Sequence, residues 1–345
     1  MAILVSGAGG LVGRAAVAAL LRQEVEHVRA VVRDPGQVGE LRRLGAKVAL
    51  LEATDPDGLA AAMDGVFTAC SLTGGLWTRP GEAPYASVAG PARVFLAAAS
   101  AAGVRRVVVC SPAAVGTPAA TGNPHLAAKA EVERMVAESG LEHAILRATH
   151  VLGPGGRLLG LLSDGEPVPV PGDGGQRVAP VWVGDVAAAV AAADDAVELA
   201  ATWSLAGPDE LAFDELVDAV HGEPVAKRHL GGGDGAGAGA GEERGRGGDG
   251  GRWVGLTPVQ VGVLAADSLP DPALPRPPGL AGSSCSGTHN SGGSSSPGGN
   301  ANERGITSLS RKTVLLSMRP SPSVSSSTTT RQIGSPSPVP ARSRM

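Results

Sequence analysis

Residues Ala2-Ile3-Leu4-Val5-Ser6-Gly7-Ala8-Gly9-Gly10-Leu11-Val12-Gly13 decide the fold. An apolar run of strand length breaks into glycines and reopens as an Ala/Leu-rich amphipathic stretch, so a strand feeds a helix through a tight loop. Gly7 lets the chain turn sharply. Gly10 lets backbone approach a diphosphate, and Gly13 lets the helix pack close to the strand. The helix start at Leu11 and Val12 then turns unpaired N–H groups and a positive dipole end towards that diphosphate. In a chain with 51 glycines the triplet alone would mean little. Its place between strand and helix gives it meaning, and a bound dinucleotide is the reading.

The rest of the first 150 residues repeats the pattern. Strands are expected at Ala2–Ser6, Val28–Arg33, Lys47–Leu51, Val66–Leu72, Arg106–Cys110 and His143–Arg147, five of them near-continuous apolar runs of the kind buried on both faces. Helices are expected at Leu11–Gln23, Gly36–Leu44, Asp55–Met63, Ser87–Ala102 and Pro124–Ser139. Strand and helix in alternation, with right-handed crossovers, define an α/β doubly wound parallel sheet over residues 1–152. Its ligand crevice lies at the carboxyl ends of the strands.

From about Gly153 the texture changes to short strands (Val168–Val170, Val178–Val183, Thr202–Ala206) and helices starting near Asp185 and Phe213, expected as a small irregular substrate-side lobe over 153–230. Residues 231–251 are almost wholly Gly, Ala, Asp, Glu and Arg and read as a linker. Thr257-Pro258 reads as an N-cap and first helical residue opening a helix to about Ser268, within a short segment 252–280. Residues 281–345, rich in Ser, Thr, Pro and Gly, read as a disordered tail.

The 345 residues carry a formal charge of -4 and a pI near 6.0, which argues against a protein that grips nucleic acid by electrostatics. No apolar run approaches the ~18 residues of a membrane span, and the N-terminus shows no signal-peptide pattern, so a soluble cytoplasmic protein is expected. The three cysteines (Cys70, Cys110, Cys285) form neither a disulfide framework nor a metal-ligand spacing. Cys70 and Cys110 fall in apolar strands and read as inert thiols.

Arg33 ends the second strand 20 residues after Gly13, where the ribose-reading residue is expected. An acid there would bond a 2′-hydroxyl, whereas a guanidinium suits a 2′-phosphate. NADP is therefore preferred, with NAD possible; the competing reading is a solvated Arg33 paired with Asp34.

The loop Ser6–Gly13, the segment Val31–Asp34, Thr54-Asp55-Pro56 with Ala60–Val66, Ala128–Glu131, Leu146-Arg147 with Val151–Pro154, and Val183–Ala187 together resemble the atypical short-chain dehydrogenase/reductases, which have Rossmann folds. The likeness is to NmrA-like proteins and to the branch holding the NADPH-binding accessory subunit of respiratory complex I, which Leu205–Glu210 through Leu216 also resembles. It covers residues 1 to about 225, with Leu256–Leu280 as a further candidate stretch. The resemblance implies that Glu52 and Ala53 lie beside the adenine and that Ser71 and Leu72 line the groove. It implies too that Ser111 and Pro112 approach the nicotinamide, Lys129 bonds its ribose, and Ala148, Thr149 and His150 pass near its face.

Active members of that superfamily use Tyr-x-x-x-Lys, and here the equivalent is His125-Leu126-Ala127-Ala128-Lys129. The chain's one tyrosine, Tyr85, is followed four residues later by Ala89. His125 can move a proton near neutral pH, or can simply serve the helix start as a capping or surface residue. Lys129 can bind cofactor or pair with Glu133 at i,i+4. Asp185 reads as a helix N-cap, and His150 and Trp182 as a pocket mouth or plain packing. Two functions are then open: a nucleotide-binding sensor or accessory protein with weak or no turnover and a protein partner, or an NADP-dependent reductase or epimerase-like enzyme on a small carbonyl, quinone or sugar-nucleotide substrate.

Overall fold

The computed structural model describes residues 1–77, 83–163, 165, 167–197, 199–230 and 256–278. The expected linker at 231–251 and tail at 281–345 lie outside the described residues. The first six strands are β1 (Ala2–Ser6), β2 (His27–Val32), β3 (Lys47–Leu50), β4 (Val66–Ser71), β5 (Arg106–Pro112) and β6 (Glu142–Ala148), each within a residue or two of the sequence reading. Four short strands follow, β7 (Val151–Leu152), β8 (Val168–Pro171), β9 (Arg177–Val178) and β10 (Val181–Trp182), and then β11 (Ala200–Leu205), β12 (Leu211–Ala212) and β13 (Lys227–Leu230). A seven-stranded, wholly parallel sheet runs in the order β11-β6-β5-β4-β1-β2-β3. The winding direction reverses between β1 and β4, which opens a crevice beyond their carboxyl ends.

The helices are α1 (Leu11–Arg22), α2 (Val38–Leu44), α3 (Pro56–Met63), α4 (Pro84–Ala101), α5 (Pro124–Glu138), α6 (Arg157–Ser163), α7 (Val183–Asp195), α8 (Phe213–His221) and α9 (Pro258–Leu264). One face of the sheet packs Val5, Ala30 and Leu146 against Ala16, Val17 and Leu20 of α1 and Val186, Ala189 and Val190 of α7. The other packs Leu4, Val107 and Ile145 against Leu59, Phe95 and Val132 from α3, α4 and α5. With three phenylalanines in the whole chain, alanines and valines do this work, and small side chains bring α1 and α7 together.

Two expectations are corrected. Thr202–Ala206 is not part of a lobe above the sheet: β11 pairs with β6 from Ala200↔His143 to Leu205↔Ala148 and is the seventh strand of the main sheet. Asp185 is not the N-cap of α7. β10 pairs with β7 only as far as Trp182↔Leu152, and the chain turns into the helix there, so Trp182 is the cap and Asp185 sits in the first turn. A third cluster, above the strand ends, joins Leu158 and Leu162 of α6, Val168 and Val170 of β8, Phe213 and Leu216 of α8 and Leu264 of α9. Thr257 does cap α9, in a reciprocal capping box with Gln260, and the helix ends at Leu264, short of Ser268.

Candidate functional site: a dinucleotide cleft

The crevice at the topological switch is a cleft of about 750 Å³. Its floor is the loop between β1 and α1. Gly7 adopts φ +78°, and a Cβ there would stand 2.8 Å from the Leu72 carbonyl oxygen. Gly13 lies behind the loop, where a Cβ would run into the Gly7 carbonyl oxygen and come within 2.7 Å of Ala8 Cα. Gly7, Gly10, Leu11 and Val12 line the cleft. Gly10 caps α1 without a side chain, and the first turn holds no acidic residue to compete with an anion. The N–H groups of Leu11, Val12 and Gly13, ahead of the first helical bond from Arg14 to the Gly10 carbonyl, have no partner inside the helix, which leaves them for one.

Arg33 lines the cleft at the end of β2. Asp34 does not neutralise it: its Oδ1 accepts the Gly36 N–H at 2.8 Å and caps the short turn at Pro35–Gln37. Glu52 and Ala53, past the end of β3, line the same end. Leu72 forms wall beyond β4. Ser71 does not reach the cleft; it is buried, with its hydroxyl 3.4 Å from Thr73 Oγ1.

At the far end, α5 delivers Lys129 and His125 from one face, one turn apart. Lys129 donates from Nζ to the carbonyls of Cys110 at 3.1 Å and Thr73 at 3.3 Å, so it bridges the ends of β5 and β4. It does not pair with Glu133. Arg147 of β6 takes that carboxylate, with Nη2 at 2.7 Å and Nε at 3.2 Å from both oxygens. Burial lowers the Lys129 pKa, opposed by Cys110 and Glu133. Neither a capping nor a surface role fits His125. Asn123 caps α5 by accepting the N–H groups of His125 and Leu126, and the His125 ring is buried at 1% exposure. Desolvation, helped by the neighbouring ammonium, pushes its pKa down to about 4.

Ser111 lines the cleft from β5, its buried hydroxyl unpartnered among the described residues, and so does His150, whose Nε2 is likewise unpartnered. His150 packs edge-on to Phe213 with ring centroids 6.0 Å apart, and burial lowers its pKa to about 4. Thr149 borders the cleft, but its hydroxyl donates to the Ala179 carbonyl and its N–H to Leu205, so both groups are already used. Beyond them, Leu76, Trp77, Leu158, Val263 and Leu264 wall an apolar end compartment. The last two belong to α9, which is held over the cleft by Asn123 Nδ2 donating to Val259 and Gln260 Nε2 donating to Leu76. Nothing in the local sequence marks α9 as part of the site, because it returns from over a hundred residues away.

The two buried histidines carry a pH signature. A folded pKa near 4 against about 6.5 unfolded means that the unfolded chain binds more protons below pH 6.5, so stability falls as pH drops from about 6.5 to about 4. Each histidine contributes up to about 3 kcal/mol over that window. Urea unfolding at pH 7 and pH 5 is expected to show the loss, and His125→Gln to reduce it; equal stability at both pH values would remove the basis for two neutral, desolvated imidazoles.

A glycine cradle that side chains would fill, helix-start N–H groups without helical partners, a cation just past β2 and two orphaned polar atoms at the opposite end fit an extended dinucleotide. The class is thus a Rossmann protein with a nucleotide cleft. The family model described as NAD(P)H-binding matches residues 7–195, and the chain belongs to that family. NAD(P)H is its cofactor. No curated protein matches the chain in sequence. Among solved structures, MoeE5 in complex with UDP-glucuronic acid and NAD is 23% identical, over 67% of this chain and 86% of its own, with a TM-score of 0.58. NADPH-dependent quinone oxidoreductase QOR2 from Escherichia coli, complexed with NADPH, is 24% identical over 76% and 86%, with a TM-score of 0.57. A nucleoside-diphosphate-sugar epimerase from Staphylococcus aureus is 16% identical over 68% and 82%, also at 0.57. These likenesses concern the fold. Among the described residues no helix is long and apolar enough to cross a membrane, and no cluster of three or more His, Cys, Asp or Glu is placed to hold a metal ion.

Proposed function

We propose that the chain is an NADP(H)-binding protein of the NmrA-like and accessory-subunit kind, acting as a nucleotide-dependent sensor or accessory protein with little turnover on substrates that need a proton moved. One observation carries this reading. Where an acid/base tyrosine would stand, His125 is buried and neutral, with a pKa near 4 that suits neither a general base nor a charged acid at neutral pH. Lys129 keeps its place but spends two of its donors on backbone carbonyls, leaving one N–H for a ribose hydroxyl. When bound, the nicotinamide supplies hydride chemistry. The chain's contribution is to hold and orient it, with Ser111 and His150 as neutral hydrogen-bonding partners at that end. In this reading residues 1–152 supply the nucleotide half, 153–230 the substrate side, and a protein partner receives the signal.

The apolar end compartment favours a second reading, an NADPH-dependent reductase for an uncharged, flat acceptor of the quinone type, whose reduction asks less of a protein acid than a sugar-nucleotide epimerisation does. NADPH oxidation over a panel of carbonyl, quinone and sugar-nucleotide compounds separates the two. Binding without turnover supports the sensor, and turnover confined to quinones supports the reductase.

Arg33 supports NADP over NAD. Arg33→Glu is expected to weaken NADPH binding by about 10- to 100-fold, the strength of a lost charge-assisted bond, and to leave NADH within about threefold. Equal losses for the two nucleotides would remove Arg33 as the 2′-phosphate reader.

A further inference from the structure

Arg14 follows directly on Gly13 and stands one turn after Leu11, in the first turn of α1. Three arginines, Arg14, Arg33 and Arg157, line the cleft, and of these Arg14 is the one that rises from the phosphate loop's own helix. Its guanidinium lies between α2 and the cleft wall at Gly155. On one side Nη1 lies 3.6 Å from Glu40 Oε2 of α2, too far for a hydrogen bond. On the other side Nη2 approaches the opposite wall at Gly155, where a Cβ would stand 3.4 Å away. Gly155 holds φ +73°, a conformation that favours glycine and keeps that wall bare. Both partners of the Arg14–Glu40 pair are partly exposed, with side chains 35% and 46% accessible, so the contact is weak and easily exchanged.

We propose that Arg14 clamps the diphosphate of the dinucleotide from above while the loop N–H groups hold it from below, and that Glu40 is the placeholder it leaves on binding. The inference rests on the dinucleotide reading of the cleft. The loop supplies dipoles and no formal charge, whereas the diphosphate of either nucleotide carries two negative charges, so a cation at the loop mouth completes the neutralisation. Arg33 lines the cleft just past β2, whereas Arg14 lines it from the first turn of the helix that the loop opens. Arg14 therefore serves both nucleotides alike, and Arg33 chooses between them.

Calorimetric titration of the full chain with NADPH and NADH tests this in wild type, Arg14→Gln and Glu40→Gln, with thermal unfolding run beside it. Arg14→Gln is expected to weaken both nucleotides by the same factor, about 10- to 100-fold. Glu40→Gln is expected to tighten both by about two- to fivefold, because the competing carboxylate is gone. A loss confined to NADPH, Arg14→Gln affinities within twofold of wild type, or Glu40→Gln weakening both nucleotides would each overturn the clamp. Should Arg14→Gln fail to fold, the Glu40→Gln result decides by its sign. Wild-type chain that binds neither nucleotide overturns the dinucleotide reading and the clamp together, an outcome distinct from normal wild-type binding with an indifferent Arg14→Gln.

Discussion

Gly13→Val is expected to reduce NADPH affinity at least about 100-fold, because it separates the helix from the loop that must hold the diphosphate. A Cβ at residue 13 meets the Gly7 carbonyl oxygen and Ala8 Cα, both backbone, so no side chain can rotate away to make room. α1 must shift, and its first N–H groups move with it; losing two charge-assisted bonds at about 1.5–3 kcal/mol each accounts for the drop. The same strain is expected to lower stability by about 1–3 kcal/mol, as overpacking does. Gly10→Ala separates the two effects. A Cβ at Gly10 meets the Gly7 carbonyl oxygen at 3.3 Å within the described protein, a contact that a small shift relieves, but it projects from a residue that lines the cleft. That variant is therefore expected to unfold within about 1 kcal/mol of wild type while losing most of its NADPH binding. Gly13→Val that binds normally would mean that close approach of α1 to the loop is not what makes the site.

Arg106→Ala is expected to cost about 3–5 kcal/mol of stability. Arg106 stands at the start of β5 and is 1% exposed. Its Nη1 donates to the carbonyls of Ala193 and Asp194, and its Nη2 to the Ala196 carbonyl at 2.7 Å and to Glu142 Oε2 at 2.7 Å. The guanidinium thus satisfies the C-terminal carbonyls of α7 and ties that helix to the sheet. Phe67 covers it, with the ring centroid 5.7 Å away. Removing it leaves four acceptors short of a donor, and alanine adds a cavity. Arg105→Ala is the control: Arg105 bonds Glu142 Oε1 at 2.6 Å from an exposed position and is expected to cost under about 1 kcal/mol. Urea unfolding of the two variants checks the contrast, and equal costs would remove Arg106 from the core.

Residues whose role is settled within a few positions of chain were readable from the sequence. The strand-loop-helix at Ala2–Arg22 follows from apolar pattern and glycine spacing, and Thr257-Pro258 from cap chemistry. What the sequence hides depends on partners far away. Ala200–Leu205 is short, mixed in polarity and half-buried in its first part, and its register on β6 makes it a central-sheet strand. His125 looks like a helix-start surface group until the fold buries it beneath the cleft. Lys129 and Glu133 look like an i,i+4 pair until Arg147 arrives from β6 and takes the carboxylate. Ser71 does not line the groove as the resemblance implies, because it is buried with its hydroxyl against Thr73, and Thr149 borders the cleft but turns its hydroxyl to Ala179. Arg14 adjoins the most legible motif of the chain, and its meaning comes from Glu40 and Gly155 on either side of it.

Calorimetric titration of NADPH into the 345-residue chain tests the central claim most directly. One nucleotide per chain, bound with NADPH tighter than NADH, is the expected result. No heat with either nucleotide, from protein shown to be folded by a cooperative unfolding transition, would contradict it.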